Sequence, residues 1–223
     1  MENSHAFLPK LCDKKKLNDV RSYCENFIKY SPEISYWKDI HLKEKIFQNL
    51  LPNDINKILC NLLKTKDFFL ETVELHIQKP NCDPIPPHQD NFYHCNEYNK
   101  SLKILIPLQY LNSRNGGLIF FDCLKDHKIL PHKASKTLNF SSYIDNNELS
   151  KLDLKSTSYE YQLGDASYHF INNIHYSKGN NTKNQTMFLV FRYLTCDATQ
   201  DKKALKDYNK CYAIHQKNLN EFK

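Results

Sequence analysis

The feature that most constrains the fold is a series of short β-patterned segments that begins after Lys66. In chain order these segments are FFLETVELHIQ, SLKILIPLQY, GGLIFFDCL, STSYEYQL, ASYHFI and TMFLVFRYL. Short strands separated by turn residues are typical of a β-sandwich or barrel and not of βαβ units. All four glycines lie between these segments, where a turn can require a positive φ: Gly116, Gly117, Gly164 and Gly179.

The first third of the chain has a helical pattern instead. In PNDINKILCNLLKT the apolar residues recur at helical spacing and form one face, made of Ile55, Ile58, Leu59, Leu62 and Leu63. Pro52 is a suitable residue to open this helix. An earlier helix is predicted over Leu17 to Tyr30, and a last helix from Lys202 onward.

These patterns together predict a single α+β domain. Residues 1–66 form a mainly helical N-terminal layer packed on the sheet, and residues 201–223 form a helical tail. Residues 67–200 form a double-stranded β-helix, the jelly roll also found in cupins, which carries the functional site. The least regular part, residues 126–160, is predicted to form a lid or rim over the mouth of the barrel.

Composition favours a protein that acts on a small molecule in the cytoplasm. The net charge is +6, but the basic residues are scattered, and no basic helix or RNA-binding aromatic motif indicates nucleic acid. No apolar segment approaches the roughly 20 residues of a membrane span, and MENSHAFLPK does not resemble a signal peptide. The eight cysteines include no CxxC pair and are predicted to be free thiols. A monomer and a homodimer both remain open.

The stretch PIPPHQDNFYHC contains the first candidate metal ligands, His88 and Asp90. A non-haem Fe(II) site needs two imidazoles and one carboxylate, with other positions left open. Residues i and i+2 of a strand point the same way, so this pair can bind one ion. The third ligand must come from a distant strand, for which His169 and His175 are the candidates. Because H-x-D is common by chance, an ordinary polar loop is the alternative.

Five motifs in a fixed order add to this interpretation between about Leu70 and Leu194. They are IQKPNCDPIPPHQD, ILIPLQYLNSRNGGLIFF, DHKILPH, GDASYHFINNIHYSKGNN and FLVFRY. In this order they resemble the phytanoyl-CoA dioxygenase-like family of Fe(II)/2-oxoglutarate oxygenases. The resemblance implies His88, Asp90 and His175 as iron ligands and His169 as a structural strand residue. It also implies that the hydroxyl of Ser177 helps to hold 2-oxoglutarate.

The resemblance fails at the residue that pairs with the distal carboxylate of 2-oxoglutarate. The family has an arginine there, and this chain has Thr186. Arg192 has the same strand parity, but six residues place it about 20 Å further along. Lys103 interrupts an apolar strand and is predicted to face the interior, where a lysine needs a partner. Related asparaginyl-hydroxylase and JmjC-type oxygenases use a lysine on this strand, so Lys103 with Thr186 is the predicted cradle; an outward-facing Lys103 is the alternative.

The function that the resemblance implies is hydroxylation of a C–H bond of a small molecule. Its cofactors are Fe(II), 2-oxoglutarate and O2, and Asp90 argues against halogenation because chloride needs that position. Three residues are candidate substrate contacts, with loop packing as the alternative: Asn91, Tyr93 and His132. Two other functions remain possible, an iron-dependent oxygenase that does not use 2-oxoglutarate and a non-catalytic jelly-roll binding protein.

Overall fold

The computed structural model describes residues 3–47, 49–124, 128–136 and 140–220. The helices are α1 (Lys14–Tyr30), α2 (Ile40–Lys43), α3 (Ile55–Leu63), α4 (Asn91–His94), α5 (Asn146–Leu149) and α6 (Lys202–Asn220). The strands are β1 (His5–Leu8), β2 (Tyr36–Trp37), β3 (Phe68–Gln78), β4 (Ile85–Gln89), β5 (Ser101–Pro107), β6 (Leu118–Phe121), β7 (Lys133–Ala134), β8 (Ser142–Tyr143), β9 (Ser156–Ser158), β10 (Ala166–Phe170), β11 (Ile174–Ser177) and β12 (Thr186–Thr195).

A six-stranded antiparallel sheet, in the order β1-β10-β5-β12-β3-β2, is the larger of two main sheets. Successive side chains of a strand point to opposite faces, and the apolar set on one face packs with α1 and α3 in a single cluster. The strand residues of this cluster include Leu75, Ile104, Leu189 and Phe191. We call this the helix face of the large sheet.

The smaller sheet has the order β4-β11-β6-β9, and it lies against the other face of the large sheet. A second buried cluster joins the two sheets, because it contains Phe120 of β6 together with Leu105 and Val190 of the large sheet. We call this side of the large sheet its inner face. Antiparallel register in the small sheet pairs His175 with His88 on one side and with Phe120 on the other.

The predicted helices form, and local capping explains where the first one begins. The side chain of Asp13 accepts a hydrogen bond from the backbone N–H of Lys16 (2.8 Å), so α1 begins at Lys14, three residues before the predicted start. The first third also supplies two strands that its helical pattern did not predict. Strand β1 pairs with β10 and strand β2 pairs with β3, so both edges of the large sheet come from this part of the chain.

The irregular segment between β6 and β9 packs against the site end of the small sheet. Strands β7 and β8 pair with each other, and the N–H of Ile144 donates to the carbonyl of Pro87 (2.7 Å). Residues 126–127 and 137–139 of the predicted rim, and 221–223 of the predicted tail, lie outside the described residues. Within the described part of the chain, no helix combines the length and the apolar character that a membrane crossing requires.

Candidate metal centre

His88, Asp90 and His175 converge between the two sheets. One potential ligand atom from each of them lies within 4.8 Å of the other two. The Nε2 atoms of His88 and His175 lie 3.8 and 3.7 Å from carboxylate oxygens of Asp90. All three side chains are buried. Two imidazole nitrogens and one carboxylate oxygen form the donor set of a non-haem iron site with open positions.

The local fold explains how residues so far apart in sequence meet. His88 is the fourth residue of β4 and His175 is the second residue of β11, and the two are direct cross-strand partners. Asp90 lies one residue beyond β4, at the N-cap of α4, with helical backbone angles. Its position therefore depends on the turn into α4 and not on strand alternation alone, which was the basis of the sequence prediction.

Backbone carbonyls set the tautomers of both histidines. The Nδ1 atoms of His88 and His175 lie 3.0 and 3.1 Å from the carbonyl oxygens of Pro86 and Asn173. A carbonyl only accepts, so each Nδ1 carries the proton and each Nε2 keeps its lone pair. Burial, reinforced by the neighbouring imidazole of His175, lowers the pKa of His88 to about 3, and burial lowers that of His175 to about 4. Both rings are neutral, as metal ligands must be.

Asp90 is the acceptor for two further buried donors. Lys103 Nζ lies 3.2 Å and His169 Nε2 lies 3.3 Å from Asp90 Oδ2. Burial acts to raise the pKa of Asp90, but Lys103 and the surrounding histidines outweigh it and hold that pKa well below its usual value. His169, which the resemblance assigned to a structural strand position, therefore contacts the carboxylate of the centre.

A row of polar residues crosses the inner face of the large sheet beside Asp90. The register aligns one residue from each of five neighbouring strands, and every one of them is buried and polar. We call these residues the polar row: His5, His169, Lys103, Arg192 and Thr72. Buried polar residues between two sheets are costly unless they find partners. Two members of this row, Lys103 and His169, have Asp90 as a partner.

Lys103 faces the interior, as the sequence predicted, and it has two carboxylate partners. Besides Asp90, its Nζ lies 3.9 Å from Oε2 of Glu74, a β3 residue that is only 5% exposed. His76 Nε2 also approaches that oxygen, at 3.2 Å. Burial opposes both charges, but the pairing outweighs it: the pKa of Lys103 is raised and that of Glu74 is lowered to about 2. Lysine and glutamate are both ionised.

The structure separates Lys103 from the other two predicted co-substrate residues. Ser177 Oγ donates to the carbonyl of Gly116 (3.3 Å) and Thr186 Oγ1 donates to the carbonyl of Asn115 (2.5 Å), so both hydroxyls meet the same turn. Lys103 is instead the cross-strand partner of Arg192, six residues along β12 from Thr186. That is about 20 Å along the strand, so the register alone does not bring Lys103 and Thr186 together, and their joint cradle stays a prediction.

The three arginines differ sharply in their surroundings. Arg21 pairs with Glu25 on the surface of α1 (2.8 Å), and Arg114 is exposed in its turn. Arg192 is 6% exposed and forms an ion pair with Glu71, while its Nε and Nη1 have no hydrogen-bond partner among the described residues. Burial lowers the pKa of Arg192 to about 10, so it remains charged at neutral pH.

Two of the three candidate substrate-binding residues, Asn91 and His132, use their polar atoms in hydrogen bonds within the chain. The Asn91 amide donates to Asn96 and Asn172, and its oxygen accepts from the N–H of Asn96. His132 donates from Nδ1 to Leu130, accepts at Nε2 from the N–H of Gln89, and stacks on Phe92.

Tyr93, the third of these residues, packs directly against a candidate ligand. Its hydroxyl donates to the carbonyl of Ser142 (2.8 Å), and its ring packs edge-on against His88 and Phe140. These aromatic rings form an apolar wall beside His88.

Three residues near the centre were not singled out from the sequence as site residues: Glu74, His76 and His94. Glu74 and His76 alternate along β3 in ELHIQ, which is the signal that both face the interior. His94 ends α4, and its ring has charged neighbours in Lys103, Asp90 and Glu74; burial, together with Lys103, lowers its pKa to about 4. Its position depends on the turn at Asp90, for which the sequence carried no comparable signal.

No protein-family model matches the chain, and no curated protein matches its sequence. Solved structures do match its fold. The non-haem monooxygenase ThoJ, in its apo form, is 15% identical, with 98% of this chain and 95% of that chain covered and a TM-score of 0.71.

Two further solved structures carry ligands. The epimerase SnoN, in complex with Fe3+, alpha ketoglutarate and nogalamycin RO, is 15% identical, with 89% of this chain and 81% of that chain covered and a TM-score of 0.70. EctD from S. alaskensis, with 2-oxoglutarate and 5-hydroxyectoine, is 13% identical, with 86% of this chain and 72% of that chain covered and a TM-score of 0.70. This chain therefore shares the mixed helical and antiparallel-sheet fold of these non-haem enzymes.

Proposed function

We propose that this protein is an Fe(II)/2-oxoglutarate-dependent dioxygenase that hydroxylates a C–H bond of a small molecule. The observation that carries the proposal is the buried group of His88, Asp90 and His175 with both Nε2 lone pairs available. The fold shared with ThoJ, SnoN and EctD supports the same class. The reactions in the names of these enzymes differ, and the carboxylate Asp90 favours hydroxylation over halogenation only.

The proposal includes the scaffold, the family and the compartment. The two facing sheets support a double-stranded β-helix within a single domain, divided at residues 1–66, 67–200 and 201–223. The ordered motifs support membership of the phytanoyl-CoA dioxygenase-like family. The eight free cysteines support a cytoplasmic location, since reducing compartments keep thiols unpaired. In this proposal the protein acts on a small molecule and has no nucleic-acid or membrane partner. The protein is a monomer or a homodimer.

In this proposal the roles of the side chains follow from their contacts. His88, Asp90 and His175 hold the metal, and His169 with Lys103 fixes the orientation of Asp90 through hydrogen bonds to Oδ2. When bound, Fe(II) with 2-oxoglutarate and O2 supplies the oxidising chemistry. The wall formed by Tyr93 and Phe140 limits the access of water to the reacting atoms.

Lys103 is the proposed anchor for the distal carboxylate of 2-oxoglutarate. It is the charged donor nearest to the candidate ligands among the described residues, since its Nζ contacts Asp90 itself. Ser177 and Thr186 were proposed to assist, but both hydroxyls already donate to backbone carbonyls. Their contribution therefore requires a rearrangement of the turn at Asn115 and Gly116.

An iron-dependent oxygenase that does not use 2-oxoglutarate is the second candidate. The observation that favours it is the pairing of Lys103 with Glu74, because this carboxylate already neutralises the cation that the co-substrate needs. The threonine at position 186, where the family has an arginine, also favours this second candidate. A non-catalytic binding protein is less consistent with three intact potential ligands.

One experiment separates these candidates. Fe(II) and 2-oxoglutarate are added to the protein without oxygen, and the weak visible charge-transfer band of the chelate is recorded before O2 is admitted and succinate is assayed. The proposal expects the band and succinate in the native protein, and loss of the band in Lys103→Ala. Metal binding with no spectral or thermal response to 2-oxoglutarate favours the second candidate instead.

A further inference from the structure

Glu74 has a buried carboxylate near the candidate centre whose presence is not explained by metal binding. It faces the interior from β3, its Cα partner across the strands is Val190, and it lies near the candidate ligands without being one of them. Its Oε2 has two cationic or potentially cationic neighbours, His76 at 3.2 Å and Lys103 at 3.9 Å.

Lys103 is shared between two carboxylates. Its Nζ is within hydrogen-bonding distance of Asp90 at 3.2 Å, whereas 3.9 Å to Glu74 is an ion pair without a hydrogen bond. A divalent ion bound to Asp90 would compensate the charge of that carboxylate. Glu74 would then be the remaining partner of Lys103, so a dicarboxylate that needs the same ammonium group would have to compete with it.

We propose that Glu74 is a positioning residue that holds Lys103 and weakens the binding of dicarboxylate co-substrates. The inference rests on the proposed function, in which Lys103 receives the distal carboxylate of 2-oxoglutarate. Two carboxylates beside one lysine repel each other across a low-dielectric interior. Removal of the charge of Glu74 therefore strengthens 2-oxoglutarate binding, and only through the distal carboxylate.

The test measures affinities by calorimetry with Ni(II) in place of iron, so that no turnover occurs. The ligands are 2-oxoglutarate and 2-oxovalerate, which has the same five-carbon 2-oxo acid chain without the distal carboxylate. Glu74→Gln is expected to lower the Kd for 2-oxoglutarate about tenfold, which corresponds to about 1.4 kcal/mol. The Kd for 2-oxovalerate is expected to stay within about twofold, since a neutral chain end gains nothing from Lys103.

Two controls make the result specific. Glu71→Gln removes an equal charge from the same strand, but from the ion pair with Arg192, and is expected to leave both Kd values unchanged. Glu74→Gln combined with Lys103→Met is expected to bind 2-oxoglutarate no better than Lys103→Met alone. Glu74→Ala serves as a second variant if Glu74→Gln does not fold, with the same expected direction.

The possible failures are distinguishable. An unchanged or higher Kd for 2-oxoglutarate in Glu74→Gln, while the native protein binds 2-oxoglutarate, overturns the role of Glu74 alone. An equal gain in 2-oxoglutarate affinity in Glu71→Gln also overturns it, because the gain then comes from the change in net charge and not from competition for Lys103. If neither the native protein nor Glu74→Gln binds 2-oxoglutarate, the proposed co-substrate is wrong and this inference falls with it.

Discussion

The two faces of the large sheet are made by alternate residues of the same strands, and they differ in polarity at the level of the polar row. On β12, Leu189 and Phe191 face the helices in the main apolar cluster, while Arg192 belongs to the polar row. On β5, Ile104 packs with the helices and Lys103 contacts Asp90. The apolar contacts of the helix face stabilise the fold, whereas the burial of charged groups on the inner face lowers the free energy of unfolding.

Neighbouring residues of one strand therefore have different roles. Those on the helix face stabilise the fold, and those on the inner face contribute to the candidate site. The helix face buries aliphatic and aromatic side chains, each of which contributes through the area it removes from water. The inner face carries Glu74 and Lys103, and Asp90 approaches it from the end of β4; these charges are tolerated because each has a partner. Substitutions on the two faces are therefore expected to produce different phenotypes.

The largest expected effect comes from His175→Ala, in the small sheet that lies against the inner face. Loss of one of three ligands is expected to weaken metal binding by more than about 100-fold, because even the partners of ligands are worth 10–100-fold. Turnover is expected to be lost, while the metal-free protein unfolds at nearly the native temperature. Metal titration and thermal unfolding measure the two quantities. Full metal affinity in this variant would remove His175 from the proposed ligand set.

The matching change on the helix face is Leu189→Ala. Leu189 is fully buried against the helices, and its truncation is expected to cost about 2–5 kcal/mol of unfolding free energy. Metal affinity of the folded fraction is expected to be unchanged. Leu42→Ala is the control, since Leu42 is 76% exposed and its truncation is expected to cost less than about 0.5 kcal/mol. Equal losses at the two leucines in urea denaturation would contradict the assignment of the helix face as the source of stability.

A smaller effect is expected in the pH dependence of stability. The pKa of Glu74 is lowered to about 2 from 4.5, because Lys103 and His76 outweigh its burial. Its ionised form therefore contributes stability in full above about pH 4.5 and loses it as the pH falls towards 2. Urea denaturation at pH 7, 5, 4 and 3 is expected to show a steeper loss on acidification in the native protein than in Glu74→Gln. Parallel curves for the two proteins would mean that the ionised Glu74 contributes nothing to the free energy of unfolding.

The smallest effect concerns the thiols. Cys24 belongs to the helix-face cluster, and burial, with a minor contribution from Glu25, raises the pKa of its thiol to about 12, whereas Cys196 is exposed. The thiolate is the reactive form, so a thiol reagent is expected to label Cys196 first and Cys24 only on unfolding. Mass spectrometry of the modified protein, with Cys196→Ser as control, measures the order. Early labelling of Cys24 would show that the helix face opens locally.

Part of the fold could be predicted because the pattern was strong. The helices at α1, α3 and α6 follow apolar periodicity, and the β-rich segments became the long strands. Strands β1 and β2 were not predicted, because four or two residues carry no periodic signal and their strand state comes from pairing with β10 and β3. Their existence is a tertiary effect.

The site shows the same division. The structure brings His88, Asp90 and His175 together, although the helical turn at Asp90 was not apparent from the sequence. Cross-strand register decides what lies beside Lys103, and register cannot be read from one strand alone. For that reason the sequence predicts a cradle with Thr186, whereas Arg192 and Glu74 are the residues that the structure places near this lysine.

Strand β1 has a consequence for the handling of this protein. It covers the open backbone edge of β10, the strand that carries His169. Deletion of residues 3–8 would expose a row of unpaired amide and carbonyl groups, which is a template for edge-to-edge association with a second molecule. Light scattering of such a truncated protein is expected to show aggregation before any loss of helical signal.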